Sequence, residues 1–259
     1  MSAAALSTRG RSLLILGGVL LYLLFLVVQM PAVWLAAHLP AESPIQLRQV
    51  DGKLWQGSAG GVTWRAAVDS LELGRLRWTL QAGELLKGSL GIGFELGQAP
   101  TRLQGTLLLG RDGLSLKSVQ GHLDAGVIGF ASRPLALLQP RGRLALDITE
   151  LFLSEKRIHG TAKADWQGAR SALIAAPLGD YSAVLQAEPD GRHARVTIQT
   201  LQGALAMSGD GDYFPGKGIK GRLVLLPPQD ERRNLYTPLL NMFGIPDASG
   251  AWVLNLDSR

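Results

Sequence analysis

The residues able to do chemistry are few, and their spacing argues against catalysis. Four histidines, His38, His122, His159 and His193, are scattered with no i, i+4 pair and no carboxylates at ligand spacing; they read as surface or strand histidines rather than metal ligands. Ser208-Gly209-Asp210-Gly211-Asp212 has the oxygen content of a calcium loop. It lacks the later bidentate Glu and the alternating ligand ladder, so it is read as a glycine-rich hairpin tip. Gly88-Ser89-Leu90-Gly91-Ile92-Gly93 is followed by no helix signature, and Gly216-Lys217-Gly218 lacks the spacing and the Ser or Thr of a phosphate loop. There is no Gly-x-Ser-x-Gly elbow and no cysteine, which removes the hydrolase nucleophile, disulfides, thiolate metal sites and cysteine nucleophiles together. Paired carboxylates stay open as a class, although no pair stands out. The expectation is a protein that is not an enzyme and holds neither metal nor cofactor. Trp55, Trp64 and Trp78 are the most distinctive side chains left, either core residues or the lining of an interaction groove.

The elements that would position these side chains begin with residues 13–37. Thirteen of the sixteen residues 13–28 are Leu, Ile, Val or Phe. A helix over residues 13–34 would be about 33 Å long, enough to cross a hydrocarbon core of roughly 30 Å. Leu13, Leu16, Leu20, Leu24 and Val28 belong to this anchor, and Trp34 falls where an interfacial indole is expected. A cleaved secretory signal is the rival reading, given the basic start at Arg9 and Arg11. The apolar run is longer than the usual ~7–15 residues, and no clean small-x-small cleavage site follows. The first Lys or Arg beyond it is Arg48. The positive-inside rule therefore puts residues 1–12 in the cytoplasm, residues 13–37 in the membrane and residues 38–259 outside as one large domain.

Composition narrows that domain. Glycine is abundant (32) and aromatics are few (6%), a balance typical of sheet proteins with many turns and closely approaching backbones. The net charge of +5 is dispersed, with no Lys/Arg run interleaved with aromatics, so a nucleic-acid partner is not expected. Residues 38–49 read as a Pro-marked connector, and residues 50–59 as a short strand with Trp55 inward between two turns. Leu71 and Leu73 have one parity, and Leu76, Trp78 and Leu80 the other; Gly74-Arg75 must therefore form a bulge or tight turn. A unit of polar residue, Gly, polar residue and alternating apolar positions recurs at Gln104-Gly105-Thr106-Leu107, Gln120-Gly121-His122-Leu123, Arg141-Gly142-Arg143-Leu144 and Lys220-Gly221-Arg222-Leu223. Its irregular spacing fits an antiparallel meander in which each strand starts at a glycine. Residues 181–187 and 195–200 form a hairpin about Glu188-Pro189-Asp190-Gly191. Residues 230–243 should be helical, split in two at Pro238 and ended by Gly244. The fold class is mainly β: a twisted, mostly antiparallel sheet with one or two short helices, behind a single transmembrane helix.

Several stretches also resemble one known family. Met30-Pro31-Ala32-Val33-Trp34-Leu35 after the basic, apolar start is similar to the membrane anchor of the type II secretion system protein N family (general secretion pathway protein N). Asp51-Gly52-Lys53-Leu54-Trp55-Gln56-Gly57-Ser58-Ala59, Pro177-Leu178-Gly179-Asp180-Tyr181, Leu201-Gln202-Gly203-Ala204-Leu205, Leu239-Leu240-Asn241-Met242-Phe243-Gly244 and Gly250-Ala251-Trp252 also resemble its pattern, in the family's order. The resemblance implies an accessory inner-membrane component of the machinery that exports folded proteins from the periplasm across the outer membrane. Its partners would be the inner membrane and other secretion-system subunits, and the family has no catalytic residues to carry over. The Gly-x-Leu-x-Leu strands also look like those of the AsmA-like group, whose curved sheets expose an apolar groove to lipid. That implies an alternative, periplasmic phospholipid binding or transfer, with Trp55, Trp64 and Trp78 on a concave face near the membrane end.

Overall fold

The computed structural model describes residues 17–19, 21–22, 25–38, 40, 43–65, 70–99, 101–130 and 136–257. They build one thirteen-stranded antiparallel meander in which every strand pairs with its neighbours in sequence. The strands are β1 (Ile45–Gly52), β2 (Gln56–Arg65), β3 (Ser70–Gln81), β4 (Leu90–Gln98), β5 (Thr101–Leu109), β6 (Leu114–Asp124), β7 (Pro140–Leu153), β8 (Ile158–Ser171), β9 (Gly179–Ala187), β10 (Ala194–Gln202), β11 (Ala206–Phe214), β12 (Gly218–Leu226) and β13 (Trp252–Asp257).

Two cross-strand rows define the sheet. Val50, Ala59, Leu76, Leu96, Leu103, Gly121, Leu146, Ala164, Ala183, Ile198, Gly209, Leu223 and Leu254 stand opposite one another from β1 to β13. Every member is aliphatic or glycine. One residue along each strand runs a second row, Asp51, Ser58, Arg77, Glu95, Gln104, Gln120, Asp147, Lys163, Val184, Thr197, Asp210, Arg222 and Asn255, in which only Val184 is apolar. Adjacent residues of a strand point to opposite faces, so the sheet has one apolar and one polar face from edge to edge.

Burial divides the apolar face into three clusters. Ala59, Val62 and Trp78 pack with Ala32 at the β1–β4 end, and Leu103, Val119, Leu123 and Ile148 form a middle cluster. Leu178, Tyr181, Leu205, Leu225, Tyr236, Leu239, Leu240 and Trp252 form the largest, under the helix Arg233–Leu240. Outside these, Leu107, Leu185 and Val196 are only half-buried.

The parity break at Gly74 is a bulge: Val62 pairs with Gly74 and Thr63 with Glu72, passing over Leu73, and Gly74 adopts φ +89°. The hairpin after Tyr181 also forms, closed by the Gly191 N–H donating to Glu188 O.

Other expectations are corrected. The connector is shorter, because β1 starts at Ile45, and residues 50–59 form a hairpin turning at Lys53-Leu54-Trp55 rather than one strand. Gly105, Gly121 and Gly221 lie inside strands, not at their starts. Their role is close approach: a Cβ on Gly121, at φ +141°, would strike Arg102 O and lie 2.8 Å from Leu103 Cα. Residues 208–212 are the middle of β11 rather than a hairpin tip, with Gly209 and Gly211 against β12. Pro238 does not split its helix. It falls in the sixth position, where it removes the single i→i−4 bond to Asn234 just beyond the naturally unpaired first turn.

The far end of the expected anchor helix is corrected as well. Among the described residues, no helix is long and apolar enough to cross a membrane. Residues 17–19, 21–22 and 25–28 are helical, and Leu13, Leu16, Leu20 and Leu24 lie outside the described residues. The helical run stops after Val28 instead of reaching Trp34. Pro31 disfavours the helical conformation at Met30. Pro31 instead bridges to Lys53, while Ala32 N–H donates to Gly52 O and Leu54 N–H to Met30 O. Trp34 lies in a separate short helix, Val33–Ala37, stacked on His38.

Candidate functional site

The two ends of the sheet differ. In an antiparallel meander, turns fall alternately at the two ends. The β1–β2, β3–β4, β5–β6, β7–β8, β9–β10 and β11–β12 turns therefore share one end, and the segment 27–32 docks at that end. There the Trp55 indole N–H donates to Val27 O at 2.9 Å, and Leu80 N–H donates to Trp55 O at 2.8 Å. The helical residues before it touch little: Val19, Leu21, Tyr22, Phe25, Leu26, Val27 and Val28 are all exposed, and a Cβ on Gly17 or Gly18 would meet nothing.

The opposite end carries the apolar cap. Tyr236 OH donates to Pro177 O, the buried Tyr181 OH donates to Leu205 O, and Trp252 Nε1–H donates to Gly244 O, each at 2.9–3.0 Å. Burial pushes the Tyr181 phenol well above its ordinary range. The loop into β13 is held by Asp247, whose Oδ1 accepts from Ser249 N–H, Ser249 OH and Ala251 N–H. These bonds, the Ser249 hydroxyl foremost, hold its carboxyl below the usual range. Around this cap Leu137, Leu173, Leu201, Leu235, Met242 and Ile245 stand exposed.

The three tryptophans do not converge. Trp78 is 5% exposed, packed over Gly57, with its indole N–H on Leu54 O. Trp55 is half-buried beside it at the docking end, whereas Trp64, exposed, lies toward the other end of β2, opposite Ile45 and Leu71. Against β2–β5 lies an open trough of about 680 Å³ lined by Ser58, Arg77, Thr79, Glu95 and Gln104, with Gly57, Gly93 and Gly105 in its floor. Trp78 and Phe94 also line it, and across it Arg77 and Glu95 stand 3.9 Å apart. Among the described residues, the exposed side chains of both faces offer hydrogen-bonding and apolar contact.

The histidines sit apart: His122 on β6, His159 on β8 stacked on Phe152, His193 in the β9–β10 turn stacked on Phe214. No three His, Asp or Glu side chains among the described residues come together as a metal site. Sequence reasoning missed the far-end cap as a surface, although residues 172–178 and 201–205 carry no charge.

The molecule is thus an open, single-sheet β scaffold with two chemically different ends. A family model described as "Type II secretion system (T2SS), protein N" matches residues 43–255, from just before β1 into β13. The chain belongs to the type II secretion system protein N family. It is 30% identical over 237 residues to a protein of that name from Klebsiella pneumoniae, covering 83% of this chain and 87% of the relative. It is 34% identical over 85 residues to one from Vibrio cholerae serotype O1, covering 32% of each chain. No solved structure is a significant match.

Proposed function

We propose that this protein is an accessory inner-membrane component of a type II secretion machine, contributing by non-catalytic contacts to the export of folded proteins across the outer membrane. In this reading residues 13–37 anchor it, residues 1–12 are cytoplasmic and the sheet stands in the periplasm. The observation that carries the reading is the family match over nearly the whole sheet, together with a relative bearing the secretion-system name that aligns over most of both chains. The exposed apolar residues Val19, Leu21, Phe25, Leu26, Val27 and Val28 support the anchor, because a helix apolar all round needs a non-aqueous surrounding.

In vivo photo-crosslinking tests the proposal, with photoreactive residues at Trp55, Trp64 and Ile245 of the membrane-integrated chain. Adducts to secretion-machine subunits are expected. Capture of lipid alone at all three sites would overturn it.

A second reading, lipid binding or transfer, is favoured by one observation: the apolar row is unbroken from β1 to β13 and only half-covered between its clusters. It expects phospholipid adducts on that face beside the row, at Leu185 or Val196.

A further inference from the structure

We infer that the turn joining β3 to β4, residues 82–89, is a second contact with the bilayer, dipping Leu85 and Leu86 into the lipid interface beside the anchor. The inference rests on the proposed anchoring of residues 13–37.

Position is the first argument. The 82–89 turn lies at the same end of the sheet as the docking segment 27–32, two strands along. Strands stand ~4.8 Å apart and twist by about 20–25° per pair, so it is roughly 10 Å away and turned by about 50° from the docking hairpin. By β11–β12 the accumulated twist exceeds about 180°, so the distal turns of the same end face elsewhere. The Leu80 N–H bond to Trp55 O ties the base of the turn to the hairpin whose indole holds Val27 O. Trp55, where the apolar helical residues end, marks the level of an interfacial indole.

Chemistry is the second. Leu86 is 92% exposed and Leu85 42%, on a turn whose short helix Ala82–Leu85 has no buried residue. The turn is braced rather than loose. Ser89 N–H and Ser89 OH donate to Glu84 O, and Glu84 Oε1 lies 2.8 Å from Lys87 Nζ. Lys87, exposed and paired with Glu84, and Lys53, exposed on the docking hairpin, are cations at the same end. Two leucines held outward beside lysines match the apolar–anionic boundary of a bilayer, where Lys stems run along apolar surface and their heads meet phosphate.

The chain has no cysteine, so single labels are clean. Leu86→Cys, Tyr22→Cys and Ile245→Cys are each labelled with an environment-sensitive fluorophore. The full chain is reconstituted in phosphatidylethanolamine–phosphatidylglycerol vesicles carrying spin-labelled lipid. The expected result is blue-shifted emission at 86, lost to quenchers placed high in the acyl region. Deeper quenching is expected at 22, and none at 245. If 22 is quenched while 86 stays water-like, the second contact is overturned and the anchor stands. A blue shift at 86 that lipid-borne quenchers leave untouched means a protein neighbour covers the leucines, and also overturns it. If neither 22 nor 86 is quenched, the anchoring fails and this inference with it.

Discussion

At the scale of single residues, the fold depends on positions where a side chain is either forbidden or fully committed. Gly121 is the clearest. Its φ of +141° and the approach of Arg102 O leave no room for a Cβ, so Gly121→Ala should destabilise by about 1–3 kcal/mol. Gly97→Ala is the contrast, since nothing lies within 4 Å of a Cβ there; its expected effect is within about 0.5 kcal/mol. Denaturant melts of the solubilised full chain measure both. Tyr181 is the committed case. Tyr181→Phe leaves Leu205 O without its buried donor, a cost of about 1–3 kcal/mol. The phenol's pKa is raised in the fold by burial. Its stabilising contribution is therefore fully present below the unfolded value of about 10 and declines as pH rises above that. The wild-type chain should lose stability above about pH 10 more steeply than Tyr181→Phe, read from melts across an alkaline series.

At the scale of elements, the helix Arg233–Leu240 is the chief cover of the apolar face. Tyr236, Leu239 and Leu240 are buried against the sheet, while Leu235 is exposed. Leu240→Ala should cost about 2–5 kcal/mol by opening a cavity over β9, β11 and β12. Leu235→Ala should stay within about 0.5 kcal/mol, unless a partner covers it. The same melts separate the two. β11 shows why strands are misread: in Ser208-Gly209-Asp210-Gly211-Asp212 the glycines alternate, a pattern more familiar from loops. Here the period of two is the strand signal, and glycine is required because β12 lies close. A Cβ on Gly209 would stand 2.9 Å from Leu223 Cδ1, and one on Gly211 2.7 Å from Lys220 O.

At the scale of the molecule, one apolar and one polar row run side by side across thirteen strands. Adjacent residues of β9 test this two-faced architecture. Val184→Glu places a carboxylate opposite Lys163 on the polar face, and should change stability by no more than about 0.5 kcal/mol. Ala183→Glu puts the same group into the apolar row between Ala164 and Ile198, and should destabilise by about 1–3 kcal/mol. Equal effects would mean that the apolar row is open to water along its length. The two ends then divide the work proposed for the protein: apolar turns near Trp55 toward lipid, and the exposed leucines around the far cap toward protein neighbours.

The mainly-β class, the bulge at Gly74, the hairpin after Tyr181 and the family were legible in the residues themselves. Alternation of period two and the turn chemistry of Pro-Asp-Gly act locally, and local rules survive into the fold. What the sequence left undecided depended on contacts between distant segments. The helical run ended before Pro31 because Gly52 and Leu54 offered its neighbours Ala32 and Met30 a backbone to pair with. Trp64 parted from Trp55 and Trp78 because β2 is long enough to carry them to opposite ends. Glycines that looked like strand starts proved to be points where one strand presses on the next. Register alone aligned thirteen separate alternating segments into continuous rows, because each antiparallel pairing passes its inward face to the next strand.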